Sequence, residues 1–266
     1  MPARPPRLVA TDLDGTIVPI DGEITDRTVA ALRAVEARGV PVVFVTGRPP
    51  RWMGAVAERT GHTGVAVCAN GALLYDLHTE QVVADFPLSV EVGLEVAERL
   101  RAALPDIAFA VETLDGFAHE ESYRPRWDVG SARGVDHIGR IYAEPAVKLL
   151  ARHEAMASDD LLAAAREVLG DLVELTHSST GGLLEISAAG VSKATTLARV
   201  CEQHGVDAAD VVAFGDMPND LPMLAWAGQP YAVAGAHPEV LAAVERVVDR
   251  PEDHGVAKEL ERLFGL

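Results

Sequence analysis

Two short acidic clusters in this chain of 266 residues have a spacing that could do chemistry. In Asp12-Leu13-Asp14-Gly15-Thr16, two carboxylates stand two residues apart at the end of an apolar run. They project to the same side, and Gly15 lets the chain turn sharply beneath them. Such a pair can divide nucleophilic attack and proton transfer on one substrate atom. A carboxylate nucleophile suits phosphoryl transfer, because the acyl phosphate it forms is reactive enough to be hydrolysed. The same cluster also suits an Asx-turn or a helix cap, the commoner fate of short Asp/Gly groups. The second cluster, Gly215-Asp216-Met217-Pro218-Asn219-Asp220, again follows an apolar run. Mg²⁺ takes one or two carboxylates plus waters and phosphate oxygens, so Asp12 and Asp216 are suitable ligands, with a backbone carbonyl near Asp14 as a third. Asn219 or Asp220 equally suits the cap of a helix from Leu221, with Pro218 starting it.

Thr46-Gly47-Arg48 sets a hydroxyl, an unencumbered backbone N–H and a guanidinium after another apolar run, a plausible phosphate cradle. Lys193 opens a helical stretch, where the helix dipole favours acids, so a lysine there calls for a partner such as Asp12 or a phosphate. Its alternative is a solvated surface lysine.

The elements that must position these residues follow from periodicity. Leu8 to Thr11, Val40 to Val45 and Val65 to Cys68 read as buried strands, with helices over Thr25 to Arg38 and Arg51 to Thr60 between them, and Leu73 to Tyr75 reads as a short extension. The βαβαβ order predicts a parallel, doubly wound sheet. The signature returns with a helix at Ser192 to His204, a strand at Val211 to Phe214, a helix at Leu221 to Ala227, and further elements at Tyr231 to Val233, Pro238 to Val244 and Val256 to Phe264. The chemically suggestive residues fall at strand ends, where ligands bind in open α/β sheets. The middle has another rhythm, with extended runs beginning at Gln81 and two helical stretches, Val90 to Leu104 and Ser158 to Leu169. It predicts an inserted α+β domain over 82–187 within a core of 1–81 and 188–266. Glu121 to Arg140 reads as a long loop with some local structure, whose Tyr123, Arg124, Arg126, Trp127 and Arg133 could read an anionic or sugar substrate.

Composition narrows the partners. Forty acidic residues against 23 basic ones, a formal charge of -17, disfavour nucleic acid and anionic membranes. No stretch approaches the ~18 consecutive apolar residues of a membrane span. Cys68 and Cys201 form no disulfide framework and read as buried thiols in a reducing compartment. With a Pro- and Arg-rich opening that lacks an apolar leader, this predicts a cytoplasmic protein. The nine histidines show no His-Glu-x-x-His spacing, and no Walker A lysine occurs.

Taken in order, Asp12-Leu13-Asp14-Gly15-Thr16, Val45-Thr46-Gly47-Arg48, Lys193 and Gly215-Asp216-Met217-Pro218-Asn219-Asp220 resemble the four motifs of the haloacid dehalogenase superfamily. Asn70-Gly71-Ala72 and the insert of about a hundred residues before Lys193 resemble its Cof-type branch, with a type IIB α/β cap. The resemblance covers nearly the whole chain and implies a Mg²⁺-dependent phosphatase of a small phosphorylated metabolite. It implies Asp12 as nucleophile, Asp14 as general acid/base, and Thr46 and Lys193 holding the phosphoryl group. Substrate would also meet Gly47, Arg48, Asn70 and Asn219, and Asp12, Asp14, Asp216 and Asp220 would make up the metal site. A phosphomannomutase-type phosphotransferase shares this implied architecture. A non-catalytic sensor of a phosphorylated ligand is the rival from another class, and an acid/base Asp14 argues against it.

Overall fold

The computed structural model describes residues 5–20, 22–126 and 132–266, and of Arg133 only the backbone. The chain begins β1 (Leu8–Thr11), α1 (Asp26–Glu36), β2 (Val42–Val45), α2 (Met53–Thr60), β3 (Val65–Cys68), β4 (Leu73–Asp76) and β5 (Gln81–Asp85). Then come α3 (Val90–Ala103), β6 (Ala108–Glu112), β7 (Phe117–Glu120), β8 (Arg133–Val135), β9 (Lys148–Arg152), α4 (Ser158–Leu169), β10 (Val173–Thr176) and β11 (Leu183–Ala188). It closes with α5 (Lys193–His204), β12 (Val211–Gly215), α6 (Leu221–Trp226), β13 (Gln229–Val233), α7 (Pro238–Ala243), β14 (Val247–Val248) and α8 (Gly255–Phe264). Two compact units result, Met1–Ala84 with Ser192–Leu266, and Asp85–Val191. Their boundaries fall three or four residues beyond those expected at 81/82 and 187/188.

In the first unit the described residues form an eight-stranded sheet of order β14-β13-β12-β1-β2-β3-β4-β5. From β14 to β3 all neighbours are parallel, and β4 then turns back antiparallel on β3. The central strands are buried along their length, as expected of short apolar runs covered on both faces. Leu8, Ala10, Val43, Val45, Val211 and Ala213 share a cluster with Leu197, Val200 and Cys201 of α5 and Met223 and Leu224 of α6. By the period of two, the alternate residues of these strands face the other way, where α1 buries Val29, Leu32 and Val35. The run beginning at Gln81, expected in the insert, is instead the edge strand of this sheet. Its pattern could not tell the two apart, because Gln81, Val82 and Val83 are all exposed. Cys68 and Cys201 are both buried and share no disulfide, and burial pushes the Cys201 thiol up to about 11.

The second unit is a six-stranded sheet of order β10-β11-β9-β6-β7-β8 among the described residues. Its α3 and α4 pack on one face, on Phe109, Val111, Leu149, Ala151, Leu184 and Ile186. The segment 121–140, expected to be a long loop with some local structure, contributes β8 and a single helical turn over Ile138–Arg140. Three-residue elements are too short to leave a period in sequence.

The turn after β3 is the tightest point of the first unit. Ala69, Asn70 and Gly71 all have positive φ, 51°, 58° and 107°. A side chain on Gly71 would place its Cβ 2.2 Å from the Ser192 carbonyl oxygen, and Thr196 Oγ1 of α5 donates to the Gly71 carbonyl at 2.6 Å. Gly71→Ala should therefore cost about 2–3 kcal/mol and lower the melting midpoint by roughly 5–10 °C. Gly39→Ala, at φ 76° but with open space around it, should cost about 1–2 kcal/mol. Thermal unfolding followed by circular dichroism checks the pair, and equal shifts would contradict this account of the turn.

Candidate active site

Every residue singled out by the four motifs lies in the first unit, and all but Lys193, which opens α5, stand at the carboxyl ends of adjacent strands. Asp12 follows β1, and its N–H donates to the Phe214 carbonyl of β12 at 3.0 Å, which locks the two acidic loops together. Thr46 follows β2, with its N–H on the Val67 carbonyl at 2.8 Å. Asp216 follows β12. Parallel registry of β12, β1 and β2 thus converts three distant stretches of sequence into one rim.

Lys193 stands at the centre of this rim. It is fully buried, and its Nζ donates to Asp12 Oδ1 and Asp220 Oδ1, both at 2.6 Å. Ser192 caps α5 by accepting from the Thr195 N–H, and the Thr195 hydroxyl in turn accepts from the Ser192 N–H, so the helix start is rigid and aims the lysine inward. The solvated alternative for Lys193 is thereby excluded. Burial opposes its positive charge, but Asp12 and Asp220 outweigh burial and hold its pKa above the ordinary lysine value. Asp12 is pushed well above the ordinary carboxylate range, by burial first and then by Asp220, Asp216 and Asp14, with Lys193 opposing.

Asp220 Oδ2 accepts from the N–H groups of Asp216 and Met217, both at 3.0 Å. Both of its oxygens are therefore engaged, and its side chain reaches backward into the loop instead of capping α6. Asp216 Oδ1 accepts from the Thr16 hydroxyl at 3.1 Å. This threonine was not assigned a role from the sequence, although it sits inside the first motif. Gly15 also does more than turn the chain. A Cβ there would lie 2.2 Å from Asp216 Oδ2, so the glycine opens the space that this carboxylate occupies. Burial, then Asp220, push Asp216 up to about 7, with Lys193 and the Thr16 hydroxyl opposing.

One oxygen from each of Asp12, Asp216 and Asp220 lies within 4.8 Å of the others. Three carboxylates against one ammonium leave a buried excess of negative charge, and all the donor atoms are hard oxygens. That set fits a divalent cation such as Mg²⁺. The Asp14 carboxylate is outside this group. It is 60% exposed and pairs with Arg48, whose Nε donates to Oδ2 at 2.8 Å and whose Nη2 donates to Oδ1 at 2.5 Å.

The Thr46 hydroxyl accepts from the Arg48 N–H at 3.1 Å and keeps its own proton to donate. The Asn70 N–H donates to the Thr46 carbonyl at 3.0 Å, and Asn70 Oδ1 accepts from Asn219 Nδ2 at 3.1 Å, so the turn after β3 is tied to both neighbouring loops. Asn70 Nδ2 and Asn219 Oδ1 are buried without a partner among the described residues. Gly47 sits between Thr46 and Arg48 in the turn after β2.

Among the insert residues expected to read substrate, Tyr123 is buried, its ring beneath Arg152, and burial pushes its phenol up to about 12. Arg126 pairs with Glu154 at 3.4 Å, and Arg124 is exposed. Trp127 and the side chain of Arg133 lie outside the described residues.

The fold is that of a doubly wound α/β protein, with acidic loops at its strand ends and a buried lysine at the start of α5. A family model of haloacid dehalogenase-like hydrolases matches residues 9–260, and the chain belongs to that family. It is similar to the phosphoglycolate phosphatase of Methanothermobacter thermautotrophicus, with 28% identity covering 97% of this chain and 99% of the relative. It is also similar to the 5-amino-6-(5-phospho-D-ribitylamino)uracil phosphatase YcsE of Bacillus subtilis, at 26% identity over 95% of this chain and 93% of that one. A solved haloacid dehalogenase subclass IIB sugar phosphatase shares the fold with a TM-score of 0.79 at 19% identity, over 97% of this chain and 99% of its own. The chain is accordingly an enzyme, a hydrolase of the haloacid dehalogenase type. No helix among the described residues is long and apolar enough to cross a membrane.

The raised Asp216 pKa has a consequence for stability in chelator. Between the ordinary carboxylate value, 3.8, and about 7, the folded protein holds a proton that the unfolded chain has released, so this group removes stability as pH rises through that window. Asp216→Asn abolishes the titration. Urea unfolding in EDTA should show the variant gaining stability relative to wild type from pH 4.5 to pH 7.5. Parallel curves would contradict the shift.

Proposed function

We propose that this enzyme hydrolyses a small phosphomonoester through an aspartyl phosphate on Asp12, with Mg²⁺ as cofactor. The observation that carries the reading is the contact of Lys193 with Asp12 inside a group of three carboxylates, a pattern that places a nucleophile beside fixed positive charge. Asp12 attacks phosphorus. The P–O bond to the leaving group breaks as the bond to Asp12 forms, and Asp14 gives its proton to the departing oxygen. Water then attacks phosphorus, Asp14 takes a proton from it, and the bond to Asp12 breaks to release inorganic phosphate. The Lys193 ammonium and the Thr46 hydroxyl hold the phosphoryl oxygens through both halves. Asp12 and Asp216, with the Asp14 backbone carbonyl, would hold the metal, which supplies Lewis-acid neutralisation of phosphoryl charge when bound. Asp220 holds Lys193 and the acidic loop in place.

Hydrolysis is preferred to phosphotransfer between sugars because the relatives named above are phosphatases, each for a polar phosphorylated small molecule. The inserted unit is assigned the selection of the leaving group, since the whole catalytic set comes from the other unit. The buried thiols fit a reducing, cytoplasmic setting.

Asp12→Asn should fall below about a hundredth of wild-type turnover on p-nitrophenyl phosphate, since loss of covalent catalysis costs several factors of ten at ~1.36 kcal/mol each. EDTA should abolish turnover, Mg²⁺ should restore it, and Ca²⁺ should substitute poorly because it prefers more ligands at longer distances. Full activity in excess chelator would end the metal assignment. A variant at Asp12 that still turns over freely would end the nucleophile assignment.

A further inference from the structure

Arg48 was expected to touch substrate, but its guanidinium is directed at Asp14. The fork made by Nε and Nη2 meets both carboxylate oxygens, at 2.8 and 2.5 Å. The base of this arginine is fixed from two sides. Its N–H donates to the Thr46 hydroxyl at 3.1 Å, and its carbonyl accepts from the Ala69 N–H at 3.0 Å. Asp14 is on the turn after β1 and Arg48 on the turn after β2, so the pair forms a rung just past two paired strands. Asp14 itself is 60% exposed, against 20% for Arg48. A carboxylate that open has several rotamers, and packing does not choose among them. Arg48 also borders a cavity of about 430 Å³ lined by Val18, Ile24 and Val56 among others, so sterics do not force the guanidinium onto its partner either. The two hydrogen bonds determine where Asp14 points, and a bidentate fork fixes both the position and the plane of a carboxylate.

We propose that Arg48 is a positioning residue that sets the orientation of Asp14 for its two proton transfers and does not hold the phosphoryl group. The proposal rests on the aspartyl-phosphate reading above. Lys193 already contacts the nucleophile at 2.6 Å, whereas the Nε edge of Arg48 is committed to Asp14. A general acid or base works only within hydrogen-bond reach of the proton it moves, and a displacement of about 1 Å costs on the order of a hundredfold.

Different leaving groups separate the roles. p-Nitrophenolate departs without a proton, so with p-nitrophenyl phosphate the first chemical step needs Asp12 but not Asp14, while hydrolysis of the phosphoenzyme needs Asp14. Rapid-quench kinetics on Arg48→Gln with Mg²⁺ should give a first turnover no slower than about a third of wild-type kcat. The steady state that follows should be about 10- to 100-fold below wild type, with base-labile phosphoenzyme accumulating. KM should fall with kcat. Arg48→Lys, which keeps charge but not the fork, should lie between Arg48→Gln and wild type. Asp14→Asn serves as the reference and should trap phosphoenzyme more completely.

A first turnover slowed as much as the steady state, with a raised KM, would overturn the proposal in favour of phosphoryl binding. Wild-type kinetics in Arg48→Gln would overturn it too. Phosphoenzyme in Asp14→Asn but none in Arg48→Gln would reject the role of Arg48 alone. Its absence from Asp14→Asn would reject the covalent reading itself, and the role of Arg48 with it.

Discussion

The buried ammonium of Lys193 is the constraint around which the site is organised. Taking a lysine out of water costs several kcal/mol unless its donors are met, and here two carboxylates meet them at 2.6 Å. Each acid in turn finds in the lysine a donor for a buried oxygen. The three groups are therefore mutually dependent, and removing any one leaves buried charge uncompensated. Because Lys193 opens α5, Asp12 follows β1 and Asp220 precedes α6, this small cluster also fastens three separated elements of the first unit.

Charge and backbone geometry act together at the rim. The parallel pairing of β12, β1 and β2 brings the acidic and hydroxyl loops side by side, and the Asp12 N–H on the Phe214 carbonyl sets their spacing. Glycine then supplies room where side chains would collide. Gly15 makes way for the Asp216 carboxylate, and Gly71 makes way for the Ser192 carbonyl at the start of α5. The excess negative charge that remains gives a cation a reason to bind, and Asp12 and Asp216 are displaced upward by burial first, with the neighbouring carboxylates adding to it.

Asp14 is treated differently from the other acids. It stays out of the buried group, is 60% exposed and is held by the Arg48 fork. The inserted unit has an apolar core of its own and a buried ion pair, Lys148 with Glu185 at 2.5 Å, on strands β9 and β11. None of the residues singled out by the four motifs lies in it.

Much of this was legible in the chain. Short apolar runs ending in polar residues, separated by helical stretches, were enough to predict a doubly wound sheet with an α+β insert, because burial on both faces imposes those patterns directly on sequence. The acidic motifs, Thr46 and Lys193 could be picked out because their residue types are costly or unusual where they stand. What the tertiary structure decided were the partnerships: Lys193 with Asp12 and Asp220, Arg48 with Asp14 instead of substrate, Thr16 with Asp216, and Tyr123 buried under Arg152. It also moved the exposed strand at Gln81–Asp85 into the core sheet. Local pattern records whether a residue is buried. It does not record which residue 34, 181 or 200 positions away lies opposite it, because that pairing is set by strand registry and loop closure.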